Sequence, residues 1–159
     1  MLISFEGGEG VGKTTQTRLL KEALELKGLP VLMLREPGGS FFSEQVRSLF
    51  KQNDLEALTE LLLILAARRH NLVTVVEPAL AAGQIVIIDR FIDSTLVYQG
   101  LLRGLGLELV ENLMRSSGTW REPDLTVVLD LDPCEAIARI PNPAQDRFDC
   151  LDQTQHRLI

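Results

Sequence analysis

The stretch GGEGVGKT at residues 7–14 decides the fold of this 159-residue chain. It matches the phosphate-binding motif G-x-x-x-x-G-K-[ST]. The apolar residues 1–5 before it predict a short buried strand, and residues 14–27 after it predict a helix, because Leu20 and Leu24 recur at helical spacing. A glycine turn with a chance lysine is the alternative. The position between a strand and a helix favours phosphate binding instead, because the mechanism requires that context.

Each residue type in this loop has a physical task. The glycines let the backbone wrap closely around phosphate oxygens, and the N-terminus of the following helix adds aligned N–H dipoles. We expect Lys13 to neutralise the β- and γ-phosphates of a nucleotide and Thr14 to ligate Mg²⁺ through its hydroxyl. The motif predicts nucleotide binding, but it does not select one reaction.

Length, composition and charge restrict the class of protein. The length favours one domain over residues 1–159, and 45% hydrophobic residues are enough for a core. The net charge of −6 argues against broad binding of nucleic acid or anionic membrane. We see no signal peptide or membrane-length apolar run, so cytoplasm is the expected location. Cys134 and Cys150 lack a metal-type spacing and are expected to be unpaired thiols.

Strands and helices alternate along the rest of the chain. Further strands are predicted over residues 31–34, 85–89 and 125–130. Helices are predicted over residues 43–51, 55–82, 94–102 and 108–116 and from Pro133, with a bend or interruption at Pro78. The strands are continuously apolar, which is typical of a parallel sheet covered on both faces. We therefore predict a three-layer α/β fold with ligands beyond the carboxyl ends of the strands.

Charged residues follow two of these strands. Arg35 comes just after the second strand, and Asp89 and Arg90 end the third. We expect Arg35 and Arg90 to bind a second phosphate facing the first, with Asp89 near Mg²⁺. Taken alone, Asp89 and Arg90 would equally suit a local ion pair. A GTPase switch needs one nucleotide site, whereas a monophosphate kinase needs two. Two phosphate sites therefore favour a monophosphate kinase.

Two adjacent arginines, Arg68 and Arg69, interrupt an apolar helix. Neighbouring helical residues point about 100° apart, so at most one of the two is expected to share the buried side. That arginine could reach into the pocket of the nucleotide that accepts the phosphoryl group. Alternatively, both arginines lie on a solvated face of the helix.

Several ordered motifs together resemble the thymidylate kinase family over most of the chain. They are FEGGEGVGKTT at 5–15, LREPGG at 34–39, DRFIDSTLVYQG at 89–100, REPDLTVVLD at 121–130 and DRFD at 146–149. Glu9 in the phosphate loop resembles the bacterial type. The resemblance implies a P-loop kinase fold, transfer of the γ-phosphoryl group of ATP to dTMP on the way to dTTP, a Mg²⁺ cofactor and a homodimer.

The resemblance also implies residue roles. The ATP-binding residues would be Gly7, Gly8, Glu9, Gly10, Val11, Gly12, Lys13, Thr14 and Thr15. The dTMP-binding residues would be Arg35, Ile64, Arg68, Arg90, Thr95, Tyr98 and Gln99, with Arg68 on the thymine edge and Tyr98 near the sugar 2′ position. The catalytic residues would be Lys13, Arg90, Glu9, Arg139 and Arg147, and the metal ligands Thr14 and Asp89.

Three features depart from the family pattern. Ile64 stands where the family often has a phenylalanine that stacks on the base. The lid around residues 139–147 is poor in arginine, which leaves Arg139 and Arg147 as candidates. The family normally continues beyond the point where this chain ends, so a C-terminal part is expected to be missing. Two other functions stay open at this point: another nucleoside-monophosphate kinase, or a non-catalytic nucleotide-binding protein.

Overall fold

Four parallel strands form the centre of the structure, a computed structural model that describes residues 1–52 and 54–140. The strands are β1 (Leu2–Glu6), β2 (Val31–Arg35), β3 (Ile85–Asp89) and β4 (Leu125–Val128). Their order across the sheet is β2-β3-β1-β4. Asp89 lies opposite Arg35 in β2 and Phe5 in β1, and Glu6 lies opposite Val128. The strands therefore end at one edge of the sheet, where the phosphate loop and the charged residues meet.

Helices connect the strands and cover both faces of the sheet. They are α1 (Lys13–Glu25), α2 (Phe41–Gln52), α3 (Ala57–Asn71), α4 (Glu77–Ala81), α5 (Ile92–Thr95), α6 (Leu107–Ser116) and α7 (Pro133–Ala138). On one face of the sheet, Leu2 and Val86 pack with Leu61 of α3 and Met114 of α6. On the other face, Ile3, Phe5 and Ile87 pack with Leu20 and Leu24 of α1. The predicted three-layer α/β fold is confirmed.

The helix predicted over residues 55–82 changes its hydrogen-bond pattern before Pro78. α3 passes into a π-helical segment, π1 (Leu72–Val76), which leads directly into α4. Pro78 occupies the first turn of α4. A proline has no N–H to donate to a carbonyl in the preceding helical turn. In a π-helical turn the N–H of a later residue bonds to a carbonyl five positions back, so fewer carbonyls stay without a partner. The interruption is therefore real, but it lies on the N-terminal side of the proline.

A second π-helical segment, π2 (Leu96–Leu102), follows α5, where the sequence predicts an ordinary helix over residues 94–102. Apolar periodicity does not distinguish an α-helical from a π-helical bonding pattern over so few residues. The segment matters because it carries Tyr98 and Gln99, both of which are buried.

The last described elements are more exposed. Leu125 and Val128 of β4, at one side of the sheet, are 47% and 65% exposed. Cys134 in α7 is exposed, and Cys150 lies outside the described residues. No helix within residues 1–52 and 54–140 has the length and apolar character needed to cross a membrane.

Candidate active site

The loop between β1 and α1 encloses the side chain of Lys13. Gly7 and Gly10 have φ values of 132° and 74°, in the region that favours glycine. A Cβ at Gly10 would collide with the carbonyl oxygen of Ala136 in α7, so only glycine fits there. The Lys13 Nζ donates hydrogen bonds to the carbonyl oxygens of Gly7, at 2.9 Å, and Gly8, at 2.5 Å. The ammonium group thus points into the loop that would hold phosphate oxygens.

The surroundings of Lys13 shift its pKa downward. Burial lowers the pKa of Lys13 to about 8, with repulsion from Arg90 acting in the same direction and the carboxylates of Glu9 and Asp89 opposing it. Two cations held together in a cleft favour an anionic ligand, because a phosphate group would relieve their repulsion. A perturbed lysine pKa in a cleft also marks a candidate functional group.

Arg90 adopts a backbone conformation that is uncommon for a residue with a Cβ, with φ of 66°. Hydrogen bonds on both sides hold it there. The Arg90 N–H donates to the Phe5 carbonyl at 2.9 Å, and the Phe91 N–H donates to the buried Glu6 carboxylate at 2.9 Å. This strained turn aims the guanidinium at the phosphate loop, where Nη2 donates to Glu9 Oε1 at 2.7 Å.

Thr14 and Asp89 meet at the start of α1 and the end of β3. The Thr14 hydroxyl donates to Asp89 Oδ2 at 2.8 Å. Hydroxyl and carboxylate oxygens are hard donors that suit Mg²⁺, which is usually held by one or two protein ligands together with phosphates and water. Residues 1–52 and 54–140 contain no cluster of three or more His, Cys, Asp or Glu side chains that could hold a metal alone. The pair therefore fits a metal that arrives with a nucleotide.

Two adjoining cavities open at this edge of the sheet. The larger, of about 610 Å³, follows the phosphate loop and is lined by Lys13, Thr14, Thr15, Gly10, Gly12, Arg35 and Asp89, among others. The second lies among α2, α3, α5 and π2 and is lined by Ile64, Arg68, Thr95, Tyr98 and Gln99, among others. Glu9, Glu36, Arg47 and Arg90 line both. The residues predicted for the acceptor nucleotide thus lie in this connected pair of cavities.

Arg68 is wholly buried at the inner wall of the second cavity. Its Nε donates to Glu36 Oε2 at 2.6 Å, and its Nη2 donates to Thr95 Oγ1 at 2.7 Å and to the Phe91 carbonyl at 3.0 Å. The adjacent Arg69 is exposed and bonds to the carbonyl of Gly118. The two arginines therefore separate as the helical spacing predicts, one inside and one outside.

Arg35 and the proposed lid arginines are less enclosed. Arg35 is exposed, and its Nη2 lies 3.2 Å from Glu44 Oε2 at the rim of the larger cavity. Arg139 is exposed and follows α7. Arg147 and residues 141–147 of the expected lid lie outside the described residues.

Several lining residues were not singled out from the sequence. Glu36 accepts a hydrogen bond from Arg68, Arg47 donates to the Pro37 carbonyl at 2.8 Å, and Phe50 also lines the second cavity. Helical spacing offered a signal for two of them, because Arg47 and Phe50 are three residues apart and share one face of α2. Glu60, a further buried acid of α3, lies four residues before Ile64 and eight before Arg68.

The parallel sheet, the phosphate loop and the paired cavities define a nucleotide kinase of the P-loop class. The family model for thymidylate kinase matches residues 5–158. This chain belongs to the thymidylate kinase family, and it is an ATP-dependent nucleoside-monophosphate kinase.

Individual relatives agree with the family assignment. The chain is 44% identical over 159 residues to a thymidylate kinase of Caldanaerobacter subterraneus, covering 99% of this chain and 76% of that protein. It is 47% identical to a thymidylate kinase of a Synechococcus strain, covering 100% of this chain and 77% of that protein. The crystal structure of thymidylate kinase from Ehrlichia chaffeensis superposes with a TM-score of 0.77 at 44% identity, covering 87% of this chain and 75% of that one.

Ile64 is 5% exposed and lines the second cavity four residues before Arg68. An aromatic ring at this position would add about 0.5–1.5 kcal/mol of stacking on a base. We expect Ile64→Phe to lower the KM for dTMP by up to roughly tenfold. Steady-state kinetics and thermal melting on the same variant measure this.

The matched control is Leu61→Phe, because Leu61 is fully buried in the core cluster rather than the cavity. Overpacking there is expected to lower the melting temperature with no gain in dTMP affinity. If Ile64→Phe behaved like the control, Ile64 would belong to the core.

Proposed function

We propose that this chain transfers the γ-phosphoryl group of ATP to dTMP, giving ADP and dTDP. One observation carries the proposal: two adjoining cavities share Glu9 and Arg90. The phosphate loop suits the donor phosphates, and the second cavity offers the polar groups of Arg68, Thr95 and Gln99 to a base. The acceptor phosphate would then lie near Arg90, facing the donor.

Catalysis would rest on position and charge. The Lys13 Nζ and the Arg90 Nη1 both donate to the carbonyl oxygen of Gly7, at 2.9 Å and 3.2 Å. The two cations therefore converge at the junction of the cavities, where charge develops on the transferring group. The acceptor phosphate oxygen is already a nucleophile, so an in-line transfer needs no strong general base. Arg139 and Arg147 remain proposed as cations of the lid.

Mg²⁺ fits the same scheme as a proposed cofactor. The Thr14 hydroxyl and the Asp89 carboxylate would hold the ion, and the ion would neutralise charge on the β- and γ-phosphates.

Tyr98 and Glu9 are proposed to contact the sugar of the acceptor. The Arg90 guanidinium lies 5.0 Å from the centre of the Tyr98 ring, and the same guanidinium pairs with Glu9. Both side chains therefore stand beside the expected acceptor phosphate, within reach of an attached sugar.

We also propose a cytoplasmic homodimer. Leu58 and Leu62 of α3 are 37% and 52% exposed, although the opposite side of the same helix is buried. Large apolar side chains on one helix face favour contact with another protein surface.

Sedimentation equilibrium is expected to give twice the chain mass of 17.7 kDa, and Leu62→Glu is expected to shift the measured mass toward that of the single chain. A wild-type protein that stays at 17.7 kDa at micromolar concentration would exclude the dimer.

A coupled assay across dTMP, dUMP, dCMP and dGMP with Mg·ATP tests the reaction. We expect the highest kcat/KM with dTMP. Lys13→Ala should lower kcat by roughly 100-fold or more, because it removes charge stabilisation of the transition state. Lys21→Ala is the control, since Lys21 lies on the outside of α1 and pairs with Glu25. Absence of dTMP turnover in the wild type would reject the proposed reaction.

Arg90→Ala tests the placement of the acceptor phosphate. A charged hydrogen bond to phosphate contributes about 1.5–3 kcal/mol, so the KM for dTMP should rise at least roughly tenfold. The affinity for ATP, measured by equilibrium binding, should change much less. Arg18→Ala, which removes an exposed arginine paired with Glu22, should leave both values unchanged. Lost ATP binding with an unchanged dTMP KM would place Arg90 on the donor side.

A further inference from the structure

Glu60 is a carboxylate with no exposed surface, bonded to Gln99 of the second cavity. It is 0% exposed and shares the α3 face that carries Ile64 and Arg68. Its Oε1 accepts a hydrogen bond of 2.7 Å from the Nε2 of Gln99, and its Oε2 lies 3.3 Å from the Nε of Arg103. Burying an acid is costly unless it is paired, and packing alone does not require an acid here.

The Glu60 carboxylate determines which end of the Gln99 amide enters the cavity. A side-chain amide has a donor end and an acceptor end, whereas an ionised carboxylate only accepts hydrogen bonds. Nε2 of Gln99 must therefore face Glu60, which turns Oε1 away from it. Gln99 is 2% exposed and lines the second cavity, so the acceptor oxygen is the end presented there.

Arg68 lines the same cavity and carries only donors. The inner wall thus offers one acceptor, from Gln99, and one donor, the Nη1 N–H of Arg68 that is left after its bonds to Glu36, Phe91, Thr95 and Met114. A thymine or uracil ring has the complementary edge, in which the N3–H donates and the neighbouring C4 carbonyl accepts. A cytosine ring has the reverse, with an accepting N3 and a donating C4 amino group. Cytosine would therefore leave two buried polar contacts mismatched, which is a strong ground for rejection.

We propose that Glu60 is a positioning residue that sets the polarity of the Gln99 amide and so restricts the acceptor to pyrimidine monophosphates that carry an N3–H. The inference rests on the proposed function, because it concerns the acceptor of that same reaction. Glu60 acts through Gln99 and does not itself touch the substrate. Arg103 forms an ion pair with the second oxygen of Glu60 and also donates to the carbonyl of Leu55.

Glu60→Gln tests the inference with almost no change in shape. Arg103 has no acceptor, so it will take the new amide oxygen and leave the new NH₂ group facing Gln99. Gln99 must then turn its own oxygen toward residue 60 and present its NH₂ group to the cavity. The ratio of kcat/KM for dTMP to kcat/KM for dCMP is expected to fall by roughly 10- to 100-fold.

The double variant Glu60→Gln with Gln99→Glu is expected to present an acceptor oxygen to the cavity again. The NH₂ group at residue 60 would donate to one oxygen of the new carboxylate, and the other oxygen would again offer an acceptor to the cavity. We expect this variant to recover at least part of the dTMP preference. Glu111→Gln, which alters an exposed acid paired with Arg115, is the control and should leave the ratio at the wild-type value.

The ratio is measured on one preparation, so it does not depend on the fraction of protein that is folded. A Glu60→Gln enzyme that loses activity equally on dTMP and dCMP would overturn the inference and make Glu60 a structural residue only. If Glu60→Gln gives no folded enzyme, the double variant decides, because failure to restore dTMP preference there would also overturn it. A wild-type protein without dTMP turnover would instead reject the proposed function, which separates the two failures.

Discussion

The buried ion pair between Arg68 and Glu36 joins the parts that surround the second cavity. Through its three nitrogens Arg68 contacts Glu36 after β2, Phe91 and Thr95 after β3, and the sulfur of Met114 in α6. Burial raises the pKa of Glu36 even though Arg68 opposes this shift. Desolvation thus outweighs attraction at this carboxylate, as is common for buried pairs. The pair is better understood as a constraint on position than as a source of stability.

A second constraint acts at the edge of the sheet. Because parallel strands end together, the turn after β3 lies beside the phosphate loop after β1. The carboxylate of Glu6 accepts from the Phe91 N–H at 2.9 Å and from the Ser94 hydroxyl at 2.5 Å, which ties the two turns together. This tie supports the strained backbone at Arg90 and brings its guanidinium to the Gly7 carbonyl, where the Lys13 ammonium also binds. The convergence of the two cations therefore depends on the sheet, although neither side chain belongs to the core.

The parts predicted correctly are those whose signal is local. The glycine-rich turn between β1 and α1 has a fixed spacing, the strands are continuous apolar runs, and the separation of Arg68 from Arg69 follows from helical periodicity alone. The missed features are contacts between distant segments. Glu36 stands 32 positions from Arg68, and Glu60 stands 39 positions from Gln99, so no spacing rule connects them. The π-helical segments were also missed, because their composition does not differ from that of an α-helix.

The sequence by itself determined the class of fold and the glycine-rich loop between β1 and α1, because both depend on neighbours along the chain. It also carried the motifs that resemble the thymidylate kinase family. Only the tertiary structure decided how the second cavity is built. The direction of the Gln99 amide, the buried partner of Arg68 and the meeting of Thr14 with Asp89 each need two segments that the parallel sheet and its helices bring together. A hydrogen bond has direction and short range, so its partners are defined only once the fold has set their distance and orientation.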